Sequence, residues 1–195
     1  MSDFNEKYWT DRYLRGQTQW DAGNITTPLK EYFDKLHDQD MKILIPGGGN
    51  GYEAAYLHEL GFRQVYLLDL SPLPLDSFRS RNPDFPEDHL LLQDYFKLVD
   101  TFDLIVEQTF FCALHPSQRG AYAQKANELL KEGGHLVGVL FDAPLNKDFP
   151  PFGGTSEEYQ KYFEPLFTIH KLEPCYNSIK PRAGREVWID VEKRA

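Results

Sequence analysis

The chain has 195 residues, 41% of them hydrophobic and 14% aromatic, with a net charge of −9 from 21 basic and 30 acidic side chains. That length suits one domain with a substantial core, and the acidic balance without a basic block argues against nucleic acid or an anionic membrane as partner. No run reaches the ~18 apolar residues of a membrane span, and the start MSDFNEKYW lacks the basic and apolar regions of a signal peptide, so a cytoplasmic protein is expected.

In chain order, the first informative element is aromatic. Trp9 and Tyr13 stand one helical turn apart, Gly16 ends the run and Trp20 follows. Such a stripe ordinarily packs into a core. Placed ahead of a nucleotide-binding unit, it also suits a flap whose rings cover a cofactor, and a sulfonium cation gains about 0.5–2 kcal/mol per cation–π contact. Residues 1–40 are read as this flap and a first helix, and residues 41–195 as the core.

The core opens with KILIPGGGNGY over Lys42–Tyr52, where an apolar strand breaks into Gly47, Gly48, Gly49 and Gly51. Glycines are needed where a chain leaving a buried strand turns sharply and lets a ligand approach its backbone before a helix starts. That helix follows through Glu53, Ala54, Leu57 and Leu60, with Gly61 as its stop. A second strand, QVYLLDL over Gln64–Leu70, carries Asp69 about 20 residues past the loop, where an acid reaches a ribose hydroxyl. A dinucleotide frame would place a third glycine at Tyr52, which argues against a nicotinamide-dependent oxidoreductase. A tight turn with an incidental aspartate is the plain structural alternative.

Strand-like and helix-like segments then alternate: HLLLQ (89–93), FDLIVE (102–107), an amphipathic helix over Ser117–Lys131 ending at Gly133-Gly134, and HLVGVLF (135–141). This predicts an α/β fold, a doubly wound, mostly parallel sheet covered on both faces. A helix over Ser156–Phe163 and strands at Phe167–Leu172 and Glu186–Val191 predict a C-terminal antiparallel hairpin at the sheet edge.

Ligands in such folds sit at the carboxyl ends of the strands, and the remaining candidates cluster there. Asp94 and Tyr95 close the third strand, where a carboxylate and the next N–H suit an adenine. Glu107 and Gln108 end the fourth, ahead of Thr109, Phe110, Phe111 and Cys112, which suit either a pocket floor or burial against the next helix. Asp142 ends the fifth before the long loop Pro144–Gly154, a candidate lid. Glu107 or His115 would be the group to take a proton from a neutral acceptor, against the plainer roles of salt bridge and helix start. Cys112 and Cys175 read as buried, reduced thiols, and the six histidines form no ligand-spaced pair, so no metal is expected.

These residues resemble a known family. YWTDRYLRGQTQWDAG (8–23), IPGGGNGYEAAYLHELG (45–61), LLDLS (67–71), FDLIVEQTFFCALHPSQRGAYAQKANELLKEGGHLVGVLF (102–141) and PPFGGTSEEY (150–159) together look like a class I S-adenosylmethionine-dependent methyltransferase. Within that class the chain is similar to the thiopurine S-methyltransferase family, closest to its halide and thiol branch. The resemblance implies a Rossmann-like, seven-stranded sheet and S-adenosyl-L-methionine as cofactor. It places Trp9, Tyr13, Thr18 and Trp20 over the cofactor, Gly47 and Gly49 in its glycine loop, Asp69 on the ribose, Asp94 and Tyr95 at the adenine, Gln108 near the cofactor and Phe152 at the acceptor pocket. The implied acceptor is a small molecule: a thiopurine-like heterocycle, a thiol, bisulfide or a halide ion. PGGG replaces the family's proline–glycine–cysteine–glycine order, and Asp148-Phe149 replaces a glycine pair. A binding protein that holds the cofactor without turnover is the alternative of a different class, and a monomer is the default.

Overall fold

The computed structural model describes residues 4–195; Met1, Ser2 and Asp3 of the MSDFNEKYW start lie outside the described residues. Its strands are β1 (Lys42–Pro46), β2 (Gln64–Asp69), β3 (Leu90–Leu92), β4 (Phe102–Gln108), β5 (Leu130–Phe141), β6 (Phe167–Pro174) and β7 (Glu186–Lys193). They form a seven-stranded sheet in the order β3-β2-β1-β4-β5-β7-β6. The first five are parallel, whereas β7 runs antiparallel between β5 and β6. The expected hairpin is present, with β6 at the edge and β7 one place inside it.

Helices α1 (Glu6–Leu14), α2 (Thr27–Phe33), α3 (Tyr52–Glu59), α4 (Pro72–Arg81), α5 (Arg119–Leu129) and α6 (Ser156–Phe163) complete the fold. Local chemistry sets their ends. The Asn5 side chain accepts from Tyr8 N–H to cap α1, and Thr155 accepts from Glu158 N–H to cap α6. Helix α4 is the element the sequence pattern does not announce. Pro72 and Pro74 read as breakers, yet both fall in its first turn, where the missing N–H groups have no helical partner to lose.

One boundary differs from expectation. Helix α5 ends at Leu129, and β5 begins at Leu130 rather than His135. The register against β4 jumps from Phe102↔Leu130 to Leu104↔His135, so Gly133-Gly134 lies in an irregular stretch of strand and not at a helix stop.

The sheet divides two apolar clusters. In β1, Leu44 faces one and Ile43 and Ile45 face the other, and all three are buried. That two-sided burial is why the strand reads as a continuous apolar run. Tyr122, Phe111, Phe163 and Phe167 fill the cluster beneath α5 and α6; Leu29, Phe33, Leu57, Phe62 and Phe78 fill the one beneath α2, α3 and α4.

Candidate active site

The carboxyl end of β1 delivers the glycine loop. Gly47 has φ +57°, and a Cβ there would stand 2.3 Å from the Phe110 ring, so both backbone shape and space exclude a side chain. The loop is pinned to β2: Gly48 N–H donates to Leu68 O at 3.1 Å, and Gly49 N–H donates to Asp69 Oδ2 at 3.0 Å. Asp69 Oδ1 accepts from Ser71 N–H at 2.8 Å. Burial pushes the Asp69 carboxyl up to about 6, against the pull of these N–H donors.

Beside this loop lies a cavity of about 570 Å³, within the size range of small-molecule and cofactor sites. Trp9, Tyr13 and Trp20 roof it from α1 and the following turn, Gly47 and Asp69 form its rear, and Asp94, Tyr95 and Phe96 line the β3 side. Phe110, Cys112, Leu114, Pro150 and Pro151 close the opposite wall. The roof is an aromatic assembly, with Trp20 edge-on to both Trp9 and Tyr13 at 5.6 Å. Arg12 stands 5.7 Å over the Trp20 ring. A smaller cavity of about 40 Å³ adjoins it, sharing Trp20, Gly47 and Thr109, and is lined further by Gly49, Glu53, Gln108 and Arg182.

Most of the sequence-expected residues therefore converge. Trp9, Tyr13, Trp20, Gly47, Asp69, Asp94 and Tyr95 face the larger cavity, and Gly49 and Gln108 face the smaller. Asp94 also accepts from Phe96 N–H, fixing the turn after β3, and Gln108 Oε1 accepts from Thr26 Oγ1 at 3.2 Å. Two residues are placed elsewhere. Thr18 lines neither cavity, its carbonyl accepting from Asp21 N–H. Phe152 is 1% exposed and packs behind the wall against Phe4 and His115, leaving Pro150 and Pro151 at the surface of the pocket.

The candidate proton acceptors have other duties. Glu107 is fully buried: Oε1 accepts from the N–H groups of Phe110 and Phe111, each at 2.8 Å, and Oε2 accepts from Tyr122 Oη at 2.7 Å. It thereby fixes the turn at Thr109, whose φ of +61° is unusual for a β-branched residue. His115 Nδ1 accepts from Ser117 N–H in a local turn, and its side chain is outside the cavity lining. Burial, with Glu107 nearby, pushes the Cys112 thiol up to about 12 and keeps it neutral.

Two functional candidates escaped the sequence reading. Arg182 is 8% exposed; its Nη2 donates to Trp20 O at 2.7 Å, while Nη1 has no hydrogen-bond partner and stands 3.6 Å from Glu186 Oε1. Glu53, in the first turn of α3, is 5% exposed, and burial pushes its carboxyl up to about 7. An acid two residues after Gly51, in the first turn of the helix that follows the loop, is a usable signal in sequence for Glu53. Arg182 has none, being 135 positions from Gly47.

Sheet order, glycine loop and strand-end acid together define a Rossmann-like methyltransferase fold. The sequence matches the family model for thiopurine S-methyltransferase over residues 4–192, and the chain belongs to that family. It is 29% identical over 192 residues to a protein of Arabidopsis thaliana described as probable thiol methyltransferase 2, covering 95% of this chain and 84% of the relative. It is 28% identical over 187 residues to thiocyanate methyltransferase 1 of Brassica oleracea, covering 93% and 80%. Its fold is shared with 1,6-didemethyltoxoflavin-N1-methyltransferase of Burkholderia thailandensis, solved with S-adenosylhomocysteine, at a TM-score of 0.74 and 18% identity over 97% of this chain and 87% of that one. The protein is an S-adenosylmethionine-dependent methyltransferase acting on a small nucleophile.

Proposed function

We propose that the two cavities divide the cofactor between them and that the acceptor is a small, intrinsically nucleophilic anion: a thiolate, bisulfide, thiocyanate or halide. The carrying observation is that Trp20, Gly47 and Thr109 line both cavities, so a molecule with one end in each must cross that constriction. The adenine fits the β3 side, where Tyr95, Phe96 and Asp94 stand, and the ribose fits beside Asp69. The methionine end fits the smaller cavity: Arg182 Nη1, which pairs with Glu186 at 3.6 Å and makes no hydrogen bond, suits its carboxylate, and Glu53 suits its ammonium group. Trp9, Tyr13 and Trp20 then cover the sulfonium.

The cofactor supplies an already electrophilic methyl group. The protein's part is to hold a nucleophile in line with it and exclude water, and orientation of this kind lowers a barrier by roughly 7–11 kcal/mol in favourable cases. Glu107 has both oxygens committed to internal donors and Cys112 is held neutral, so these residues shape the pocket rather than move protons. An acceptor that arrives as an anion needs no base, which agrees with relatives described as thiol and thiocyanate methyltransferases. We take the chain as one catalytic domain. Its two unpaired, buried cysteines suit a reducing compartment such as the cytoplasm, and a monomer is the working state.

The test is the rate of S-adenosylhomocysteine formation with bisulfide, thiocyanate, iodide, an aromatic thiol and a thiopurine offered separately, beside a no-acceptor control. Turnover above the control with one or more of the anions supports the proposal, and preference among them ranks the acceptors. Turnover with the thiopurine alone would replace the small-anion reading, and silence across the panel despite bound S-adenosylhomocysteine would sink it.

A further inference from the structure

At the opposite end of the sheet from the cofactor cleft, the antiparallel edge gathers two imidazoles and two carboxylates. His135 on β5 pairs in register with Glu192 on β7, and Asp190 lies two residues before Glu192 on the same face. His170 on β6 has no register partner, because a bulge falls between Ile169 and Lys171. The extra residue brings its ring onto Glu192, with Nε2 2.5 Å from Oε2. The two imidazoles stack at 5.5 Å and 19°. One donor atom from each of His135, His170 and Glu192 lies within 4.8 Å of the others.

We propose that this cluster binds a borderline transition cation, Zn²⁺ being the type, through His135 Nε2, a ring nitrogen of His170 and a carboxylate oxygen of Glu192. Two imidazoles with one carboxylate are a ligand set for zinc and its neighbours, not for magnesium or calcium. Asp190 Oδ1, 2.7 Å from His135 Nδ1, supplies the carboxylate that holds a metal-binding histidine in the tautomer with Nε2 free. Zinc bonds of about 2.0–2.2 Å place neighbouring ligand atoms roughly 3.4 Å apart, so donors now within 4.8 Å need side-chain adjustments of little more than 1 Å. The three side chains are 34–43% exposed, which leaves them room to turn and gives the ion a way in.

The site is separate from the chemistry. His135 and Phe141, at the cleft end of β5, are six residues apart, or about 20 Å of strand. The bound ion would tie β5, β7 and β6 together and stabilise the folded chain by mass action.

The experiment is a calorimetric titration of the full, tag-free, chelator-treated protein with ZnCl₂ alone, repeated with MgCl₂ and with the H135Q, H170Q and D190N variants. We expect one saturable zinc equivalent, no magnesium binding, loss of the zinc signal in H135Q and H170Q, and about 10–100-fold weaker binding in D190N. Zinc should also raise the melting temperature of the parent chain and leave that of H170Q unchanged. No saturable zinc binding, or zinc binding that survives both histidine substitutions, would overturn the assignment. His170 is partly exposed at a bulge, so H170Q is expected to fold, and its unchanged binding of S-adenosylhomocysteine would confirm that it has.

Discussion

The Glu107 carboxylate and the Tyr122 hydroxyl meet at 2.7 Å in the core, and the other Glu107 oxygen holds two successive backbone N–H groups after β4. An acid at the end of a strand beside a pocket invites a catalytic reading, but these contacts make it a brace for the pocket wall. Glu107→Gln keeps an oxygen for the two N–H groups and should retain the parent's pH dependence of turnover. Glu107→Ala leaves two buried donors and the half-buried Phe110 N–H without partners, at about 1–3 kcal/mol for each buried one, and should unfold several kcal/mol more easily in urea. A displaced or flattened pH–rate profile in Glu107→Gln would return Glu107 to the role of proton acceptor.

Asp69 bridges the glycine loop and the start of α4 through Gly49 and Ser71. Asp69→Ala should weaken S-adenosylhomocysteine binding by about 100-fold or more, since hydrogen bonds to a charged group contribute roughly 1.5–3 kcal/mol each and a ribose offers two. Asp69→Asn should fall between the two. Calorimetry reads this directly, and an unchanged affinity in Asp69→Ala would remove the ribose from this position.

Glu53 predicts a trade of stability against binding. Its carboxyl titrates near 7 when folded because burial penalises the charge, against about 4.3 in an unfolded chain. The folded state therefore binds the proton more tightly, and stability from this group is present below about pH 4 and lost as pH rises through 7. Glu53→Gln should leave stability at pH 4 nearly unchanged and raise it at pH 8 by up to about 3–4 kcal/mol, while weakening S-adenosylhomocysteine binding. Thermal melts at both pH values test the first part. A lower melting temperature at pH 8 would mean the ionised carboxylate is held by a partner.

Trp20 is the keystone of the aromatic roof, touching Trp9 and Tyr13. Trp20→Ala should raise the dissociation constant for S-adenosylmethionine roughly 3–30-fold, the equivalent of one cation–π contact, with a smaller effect in Trp20→Phe. Because Trp20 is only partly buried, the urea midpoint should move little. Equal losses of affinity and stability would show that the ring acts as core.

Two glycine substitutions should diverge. A Cβ at Gly138 would lie 2.0 Å from the Glu107 carbonyl oxygen on the neighbouring strand, so Gly138→Ala must separate β4 from β5 and should cost about 3 kcal/mol or more. Gly120, in α5, has only Tyr162 within reach at 3.9 Å, and Gly120→Ala should stabilise by about 0.5–1 kcal/mol. Urea midpoints of both variants test the pair; a tolerated Gly138→Ala would contradict the strand pairing.

The sequence alone determined what depends on neighbours along the chain. Buried strands need continuous apolar runs, a loop under a ligand needs Gly47 and Gly49, and strand-end acids such as Asp69 follow at a fixed distance, so the α/β class, the glycine loop and most of the site's aromatic and acidic residues were legible. Tertiary structure alone decided whatever joins distant segments. Arg182 reaches Trp20 across 162 positions, Phe152 turns behind the wall while Pro150 and Pro151 face the cavity, and a bulge in β6 brings His170 to Glu192. No periodicity encodes such meetings, because they follow from strand order, register and competition for buried space, which the whole chain settles at once.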